Sequence, residues 1–522
     1  MLLLALASAP ACRAAPEEAG YFGTAQRASR DWTTLYVNNY DEPEFLDPGL
    51  GADGASATLL YELFEGLVVR HPEDLHPVPG VAIRWERSDD NRIYRFQLRP
   101  EARWSDGKPV TAHDFVYAWR RVLTPKTGSR MAALLYPIKN GKPFHQGKIA
   151  DPAALGVRAL GDLGLEVELE RPTPYFLDLV GYQAFFPVRQ DVVERFAAQG
   201  RPDLWFREGN IVSNGPYELE SWKFRYEIAM RRNPYHYDRD KLKIHRIVWM
   251  ALPEHNATLS LYKTAEIDLV AENVALPAEQ MERLGAMKDY WRSVYLATYW
   301  YDLNVTKPPL TDVRVRRALD LAIDKRLLVD RVTRSGQVPA THFVPDQTVS
   351  GYAELAAADR RAGTDPFAGP GHDFAPERAR ELLREAGYPI ERRGPDWHAA
   401  GFPPLEILYN TGEGHRKIAV ALQDMWKRAL LERAAATADA TQGMLLYRRA
   451  EERAVAGMCR LPLYFYTKSG LVKPYVKGFY PNALNKHPVR FLWLDPDWRR
   501  ASGNRPAYEP GELGPPGRIA AP

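Results

Sequence analysis

A chain of 522 residues, 45% hydrophobic and 26% charged, is too long for one core and too well mixed to be disordered, so two or three soluble domains are expected. Its formal net charge of +3 is small for that length, and no basic stripe interleaves with aromatics, which argues against a nucleic-acid partner. Two cysteines, Cys12 and Cys459, exclude a four-cysteine metal or redox site, whereas 13 Trp and 27 Tyr suit aromatic-lined clefts as well as cores.

Residues 1–16 read MLLLALASAPACRAAP, where an apolar run (2–7) before small residues looks like the end of a secretory signal. The first basic residue is Arg13, so a basic leader would have to lie upstream. Ala9-Pro10-Ala11-Cys12 departs from a lipobox, which carries leucine three places before its cysteine. Export to the cell envelope is expected, with a lipid anchor open only at Cys12. Without Cys12 as partner, Cys459 reads as a small buried hydrophobe. No later apolar run reaches the ~18 residues of a spanning helix.

Residues 34–39 predict a first strand, and the prolines of 42–48 an extended loop. Gly49, Gly51 and Gly54 fit G-x-G-x-x-G formally. The dinucleotide fingerprint, however, needs a strand running straight into its glycines, and 41–48 with two prolines intervene; a plain loop is the reading. Residues 57–67 follow as an amphipathic helix. His71 and His76 in RHPEDLHP lie among prolines with no third ligand nearby, so they read as a surface loop and no metal is expected.

The best-patterned stretch is 94–123. Tyr94, Phe96 and Leu98 alternate with Arg95 and Gln97, the period of a half-buried strand. Trp104-Ser105-Asp106-Gly107 turns the chain. Thr111 stands where an N-cap belongs, with Asp114 three residues on as an acidic capping box. Phe115, Val116, Trp119, Val122 and Leu123 mark one helical face, and Thr124-Pro125 ends it.

Further along, 164–169 reads as a strand, 209–217 as a turn-rich connector, 247–250 as a short strand and 258–267 as a helix delivering Asp268. Residues 295–304 (YLATYWYDLN) are the most aromatic stretch, equally a buried strand or a ligand wall. Residues 312–328 predict one long helix, 364–372 a Gly/Pro loop, and 374–386 a second helix. A strand at 405–409, a helix at 415–429 and a strand at 461–466 follow. Beyond Trp498 the Gly/Pro-rich sequence predicts a frayed tail. There is no G-x-S-x-G, H-E-x-x-H or P-loop, which leans towards a binder rather than an enzyme, without a cofactor.

Laid out together, ELFEGL (62–67), WSDGKPVTA (104–112), 209–217, DVRVR (312–316), LYNT (408–411), PLYFY (462–466) and LVKP (471–474) resemble, nearly end to end, the periplasmic oligopeptide-binding proteins of solute-binding protein family 5. The resemblance implies an α/β, two-lobed periplasmic-binding-protein fold of type II, in its three-domain variant. The implied division is a leader (1–19), a first lobe (20–68 and 180–296), an extra framework domain (69–179), a second lobe (297–486), and a return to the first lobe with a frayed end (487–522). It implies an extended oligopeptide closed between the lobes, bonded like an added strand. It also implies a monomer outside the cytoplasm that delivers peptide to ABC permease subunits. Carried over residue by residue, the peptide contacts are Asn273, Tyr295, Trp300, Asp302, Asn410 and His415, the histidine holding the peptide's carboxylate end, with Glu272 a weaker neighbour.

Two departures stand out. Where the family has an acidic residue near its first lobe-crossing loop, this chain has Gly54-Ala55-Ser56. After Trp426-Lys427-Arg428-Ala429-Leu430 the family continues with a strand, a helix and a second strand, ending in a Trp- or Cys-x-x-Asp-Tyr loop whose aspartate pairs with the peptide's amino group. Here Leu431-Glu432-Arg433-Ala434 reads as a helix from beyond that loop, and no Trp-x-x-Asp-Tyr occurs. The second lobe therefore reads as shortened near 429–431. A binding-impaired paralogue, or a surface or partner-binding protein on the same fold, stays open as the rival to a transport receptor.

Overall fold

Tyr94, Phe96 and Leu98 are buried while Ile93, Arg95 and Gln97 are half-buried, so the strand Ile93–Leu98 carries the expected alternation. In this computed structural model the described residues are 18–519, apart from 30, 174, 272, 275, 346–351, 364–366, 368–372, 394–395, 410–412, 430–433, 438–456 and 501–502. The leader with Cys12 and most of the 364–372 loop lie outside them.

Ile93–Leu98 sits third in a five-stranded sheet ordered Gly517–Arg518, Ala82–Arg87, Ile93–Leu98, Gly164–Glu168, Val157–Ala159. The helix Ala112–Leu123 buries Phe115, Val116, Trp119, Val122 and Leu123. Its start is fastened as the capping pattern requires: Asp114 Oδ2 accepts from Thr111 N at 2.8 Å and from Thr111 Oγ1 at 3.1 Å. Trp119 is wholly buried and donates its indole N–H to the Phe185 carbonyl at 2.8 Å, which removes the cost of burying that donor.

A second, eight-stranded sheet runs in the order Tyr290–Asp302, Arg460–Val472, Leu269–Val270, Thr34–Asn38, Arg246–Met250, Glu227–Arg232, Tyr217–Lys223, with Val338–Pro339 added beside Arg460–Val472. Thr34–Asn38 pairs in parallel with Arg246–Met250 and with Leu269–Val270; the other pairs are antiparallel. Buried Asp268 ties this sheet to the chain's beginning, accepting from Arg27 Nε at 2.9 Å, Tyr36 N at 2.8 Å and Tyr475 Oη at 2.9 Å.

Tyr290–Asp302 and Arg460–Val472 are 13 residues each and pair from Tyr290↔Leu471 to Asp302↔Arg460. Near one end Trp291 joins the larger core, which also holds Leu35, Trp104, Phe176 and Tyr475. Near the other end Leu461, Leu463 and Tyr464 join a separate core with Leu319, Ile323, Leu383, Ile418 and Trp426. The chain thus enters its second lobe on one long strand and leaves it on the other.

Several expectations are corrected. Residues 312–328 do not form one helix. Val313–Leu321 ends, Asp324 caps a new turn by accepting from Leu327 N at 2.8 Å, and a π-helical stretch follows at Leu328–Thr333. The break lets Lys325 fold inward, 2.9 Å from buried Asp320 and 3.0 Å from the Ala340 carbonyl. The helix expected at 57–67 is Gly54–Leu63, starting earlier because Asp53 Oδ1 accepts from Ser56 N at 2.7 Å. The helix expected at 258–267 is His255–Lys263, followed by Ala265 at φ 57°. Cys459 is half-buried rather than buried, at the mouth of the long strand.

The tail is not frayed along its described length. Ala507 N donates to the Phe491 carbonyl at 2.8 Å, Tyr508 Oη accepts from Arg490 Nε at 2.9 Å, and Gly517–Arg518 pairs with Ala82–Arg87. After the helix Glu413–Ala429 the chain forms a strand, Ala434–Thr437, parallel to Leu405–Leu408, where the sequence reads as a helix. A strand, a helix and a neighbouring parallel strand make a βαβ unit, in which the returning segment is extended. The junction at 430–433 and the stretch 438–456 lie outside the described residues.

Candidate functional site

Where the two long strands leave the larger core, a cavity of about 450 Å³ opens against the start of the helix Gly54–Leu63. Asn273 forms part of its wall, donating to Thr58 Oγ1 at 3.2 Å and Asn39 Oδ1 at 3.4 Å. A Cβ on Gly54 would stand 2.5 Å from Asn273 Oδ1, so the glycine is what lets that amide come close. The neighbouring Asp53 is spent on capping, its Oδ2 accepting from Ser56 Oγ at 2.5 Å.

On the strand side Tyr295 faces the cavity with Lys468, whose ammonium lies 5.2 Å over the tyrosine ring. Lys486 and Arg130 also line it, so among the described residues cationic side chains outnumber the carboxylate of Asp53. From Tyr295 a line of rings continues along the strands. Tyr466 meets Tyr295 edge-on at 6.2 Å, Tyr299 lies 5.9 Å from Tyr466, and Tyr299 stacks on Tyr464 at 5.0 Å. Burial pushes the Tyr299 and Tyr464 phenols well above the ordinary value, and Tyr466 up to about 12, so all three stay neutral donors at neutral pH.

His415, on the helix Glu413–Ala429, closes this line. Its Nδ1 lies 2.8 Å from Tyr299 Oη, and the rings stack at 5.5 Å. Burial lowers the His415 pKa, favouring the neutral ring that accepts the tyrosine proton. Trp300 and Asp302 instead share Arg460: its guanidinium lies 4.9 Å over the Trp300 ring, and its Nε donates to Asp302 Oδ1 at 2.6 Å.

Of the residues expected to touch peptide, Asn273 and Tyr295 share the cavity, His415 joins them through Tyr466 and Tyr299, and Trp300 and Asp302 form a separate group with Arg460. Asn410 and Glu272 lie outside the described residues. Sequence reading missed Lys468 and Tyr466. Tyr464 and Tyr466 fall within the strand expected at 461–466, and extending that alternation by two residues reaches Lys468. It also found no third ligand for His71 and His76, whereas Asp74 Oδ1 lies within 3.1 Å of His71 Nδ1 and 2.5 Å of His76 Nδ1.

No described helix is long and apolar enough to cross a membrane. The sequence profile of bacterial extracellular solute-binding proteins, family 5 Middle, matches residues 76–445. The chain is 35% identical over 434 residues to the periplasmic oligopeptide-binding protein OppA of Salmonella typhimurium, covering 82% of this chain and 74% of that one. It is 37% identical over 402 residues to the periplasmic murein peptide-binding protein MppA of Escherichia coli, covering 75% and 68%. Among solved structures, Haemophilus influenzae OppA in complex with the peptide RPPGFSPFR superposes with a TM-score of 0.73 at 27% identity, over 89% of this chain and 99% of that one. The murein tripeptide-binding protein MppA of E. coli gives 0.73 at 28% identity over 88% and 98%, and an unliganded open form of MppA gives 0.62 at 28% identity over 89% and 98%. The two-lobed α/β architecture, the long paired strands between two cores and this likeness over most of its length agree: the chain belongs to the bacterial extracellular solute-binding proteins of family 5, with the type II periplasmic-binding-protein fold.

Proposed function

We propose that this protein is an extracytoplasmic receptor that captures oligopeptides between its lobes and delivers them to an ABC import permease, acting as a monomer and without catalysis. The observation that carries the reading is the cavity at the crossing strands, walled by Asn273, Tyr295 and Lys468. The strand Tyr290–Asp302 lies at one end of the strand order of its sheet, the kind of position from which an extended peptide takes main-chain hydrogen bonds. The described relatives support the ligand class: the S. typhimurium protein is named for oligopeptides, and the H. influenzae structure holds one. In this reading Asn273, Tyr295, Trp300, Asp302, Asn410 and His415 contact the peptide. Residues 69–179 form a framework domain beside the first lobe.

A second reading, a binding-impaired paralogue or a surface or partner-binding protein, is favoured by one observation: the sequence lacks Trp-x-x-Asp-Tyr. A peptide ammonium without its aspartate loses a charge-assisted bond of roughly 1.5–3 kcal/mol, about ten- to a hundredfold in affinity. Thermal shift with a tri- to pentapeptide mixture separates the readings. A ligand at 100 times its Kd stabilises by about 2.7 kcal/mol, so a clear rise in Tm is expected, and Tyr295→Ala should weaken the response about tenfold. A folded sample that shifts with no peptide would sink the receptor reading.

A further inference from the structure

The hairpin Val68–Arg70 and Pro77–Pro79 carries, in its six-residue loop, three side chains whose donor atoms converge. The loop is closed by its own backbone: His71 N donates to the His76 carbonyl at 2.9 Å and Leu75 N to the His71 carbonyl at 3.1 Å, with Leu75 at φ 68°. This brings the two imidazoles face to face, 4.7 Å apart and 17° from parallel. Asp74 Oδ1 lies 3.1 Å from His71 Nδ1 and 2.5 Å from His76 Nδ1, the ligand atoms of the three residues fall within 4.8 Å of one another, and His71 Nδ1 also accepts from Glu73 N at 3.4 Å, a contact that a bound ion would displace. On its far side His76 Nε2 meets Glu512 Oε2 at 3.1 Å, a residue of the returning tail.

We propose that His71, Asp74 and His76 form a binding site for a late first-row divalent cation of the Zn²⁺ type, with Glu512 as the outer carboxylate that orients His76. Two imidazole nitrogens and one carboxylate oxygen are a ligand set that such ions take readily, whereas Ca²⁺ and Mg²⁺ prefer oxygen alone. Bonds of roughly 2.0–2.2 Å would place the ligand atoms about 3.3 Å apart, so to admit the ion the Asp74–His76 contact opens by roughly 1 Å and the two near-parallel rings turn about their side-chain torsions until both Nδ1 lone pairs meet it. An Nε2–H donated to Glu512 leaves the His76 Nδ1 lone pair facing the ion, the arrangement in which a second carboxylate fixes a ligand's tautomer. Asp74 is well exposed and His76 partly so, which leaves a coordination position open to water. The bland alternative is a solvated ion pair, with Asp74 holding protonated imidazoles and no affinity for metal. The site stands apart from the peptide cavity, and an ion in it would fasten the tail to the hairpin.

The test uses the untagged full-length chain after chelator treatment. Titration calorimetry with Zn²⁺ should show one saturable site, a rise in Tm with Zn²⁺, and neither with Mg²⁺ or Ca²⁺. His71→Ala and Asp74→Asn should each weaken binding at least tenfold, and Glu512→Gln about tenfold, as removal of an outer carboxylate does. Zinc-edge X-ray absorption on the unaltered protein should count two imidazole ligands, a reading independent of how the variants fold. No saturable Zn²⁺ binding, or binding unchanged in the combined H71A/D74N/H76A variant, overturns the proposal, as does an imidazole count below two.

Discussion

At the scale of single residues the most consequential group is the buried Glu65. Burial alone would raise its pKa. Arg490 Nη1 at 2.5 Å, His236 Nε2 at 3.2 Å and Tyr237 Oη at 2.6 Å outweigh that and hold it down at about 2. His236 accepts from Asp238 N at its Nδ1, 3.2 Å away, so its Nε2 carries the proton donated to Glu65. Burial also lowers the His236 pKa, so the ring stays neutral. A carboxylate whose folded pKa is depressed stabilises fully above its unfolded value of 4.5, and that contribution is lost as pH falls towards 2. Glu65→Gln should therefore cost about 3–5 kcal/mol in urea denaturation at pH 7, because Arg490 keeps its burial and loses its nearest counter-charge. The variant's Tm should also fall less steeply than wild type's between about pH 5 and about pH 2. Equal slopes would show that Glu65 is not the group that titrates. None of this was legible in ELFEGL: Glu65 stands on the polar side of a local pattern, and its partner Arg490 is 425 positions away.

Elements were legible where their determinants are local. Alternation, turn, cap and amphipathic face all fall within 94–123, and each occurs at its expected place. Thr111→Ala should cost the helix Ala112–Leu123 about 1 kcal/mol, read as a lower urea midpoint with an unchanged slope. The sequence predicts the strand Arg460–Val472 only over 461–466, and Thr467-Lys468-Ser469-Gly470 beyond it is polar and small. The tertiary structure extends the strand for a reason visible at Gly470. A Cβ there would stand 2.0 Å from the Val270 carbonyl and 2.7 Å from the Trp291 indole nitrogen. Glycine lets three strands close together where Trp291 enters the larger core. Gly470→Ala should therefore destabilise by roughly 1–3 kcal/mol, since the obstructing oxygen is backbone in the paired strand Leu269–Val270 and cannot rotate away. An unchanged urea midpoint would mean that the crossing can shift to admit a methyl group. The break at Asp324 was illegible for the opposite reason: 312–328 has continuous helical periodicity, and only the burial of Lys325 beside Asp320 reveals why the helix restarts.

For the whole molecule, the division into two lobes was legible through resemblance, whereas the strand after Ala429 and the docking of the tail were not. Both depend on partners far away in sequence: Leu405–Leu408 for the first, Arg490 and Ala82–Arg87 for the second. The larger core joins the five- and eight-stranded sheets, and the second core is smaller and built mainly from helices around Leu319, Leu383 and Trp426. Two strands connect them, Tyr290–Asp302 and Arg460–Val472. Cores of unequal size joined by two strands unfold with limited cooperativity unless something bridges the cleft. Scanning calorimetry of the ligand-free chain should accordingly show two overlapping transitions, the earlier belonging to the second lobe. Saturating peptide touching both lobes should raise the earlier transition more than the later one and draw them together, because only binding to the joined state is lost when the second lobe opens. If the two transitions instead rise in parallel, the ligand is held by the first lobe alone, through Asn273, Tyr295 and Lys468, and the line of rings leading to His415 serves packing rather than binding.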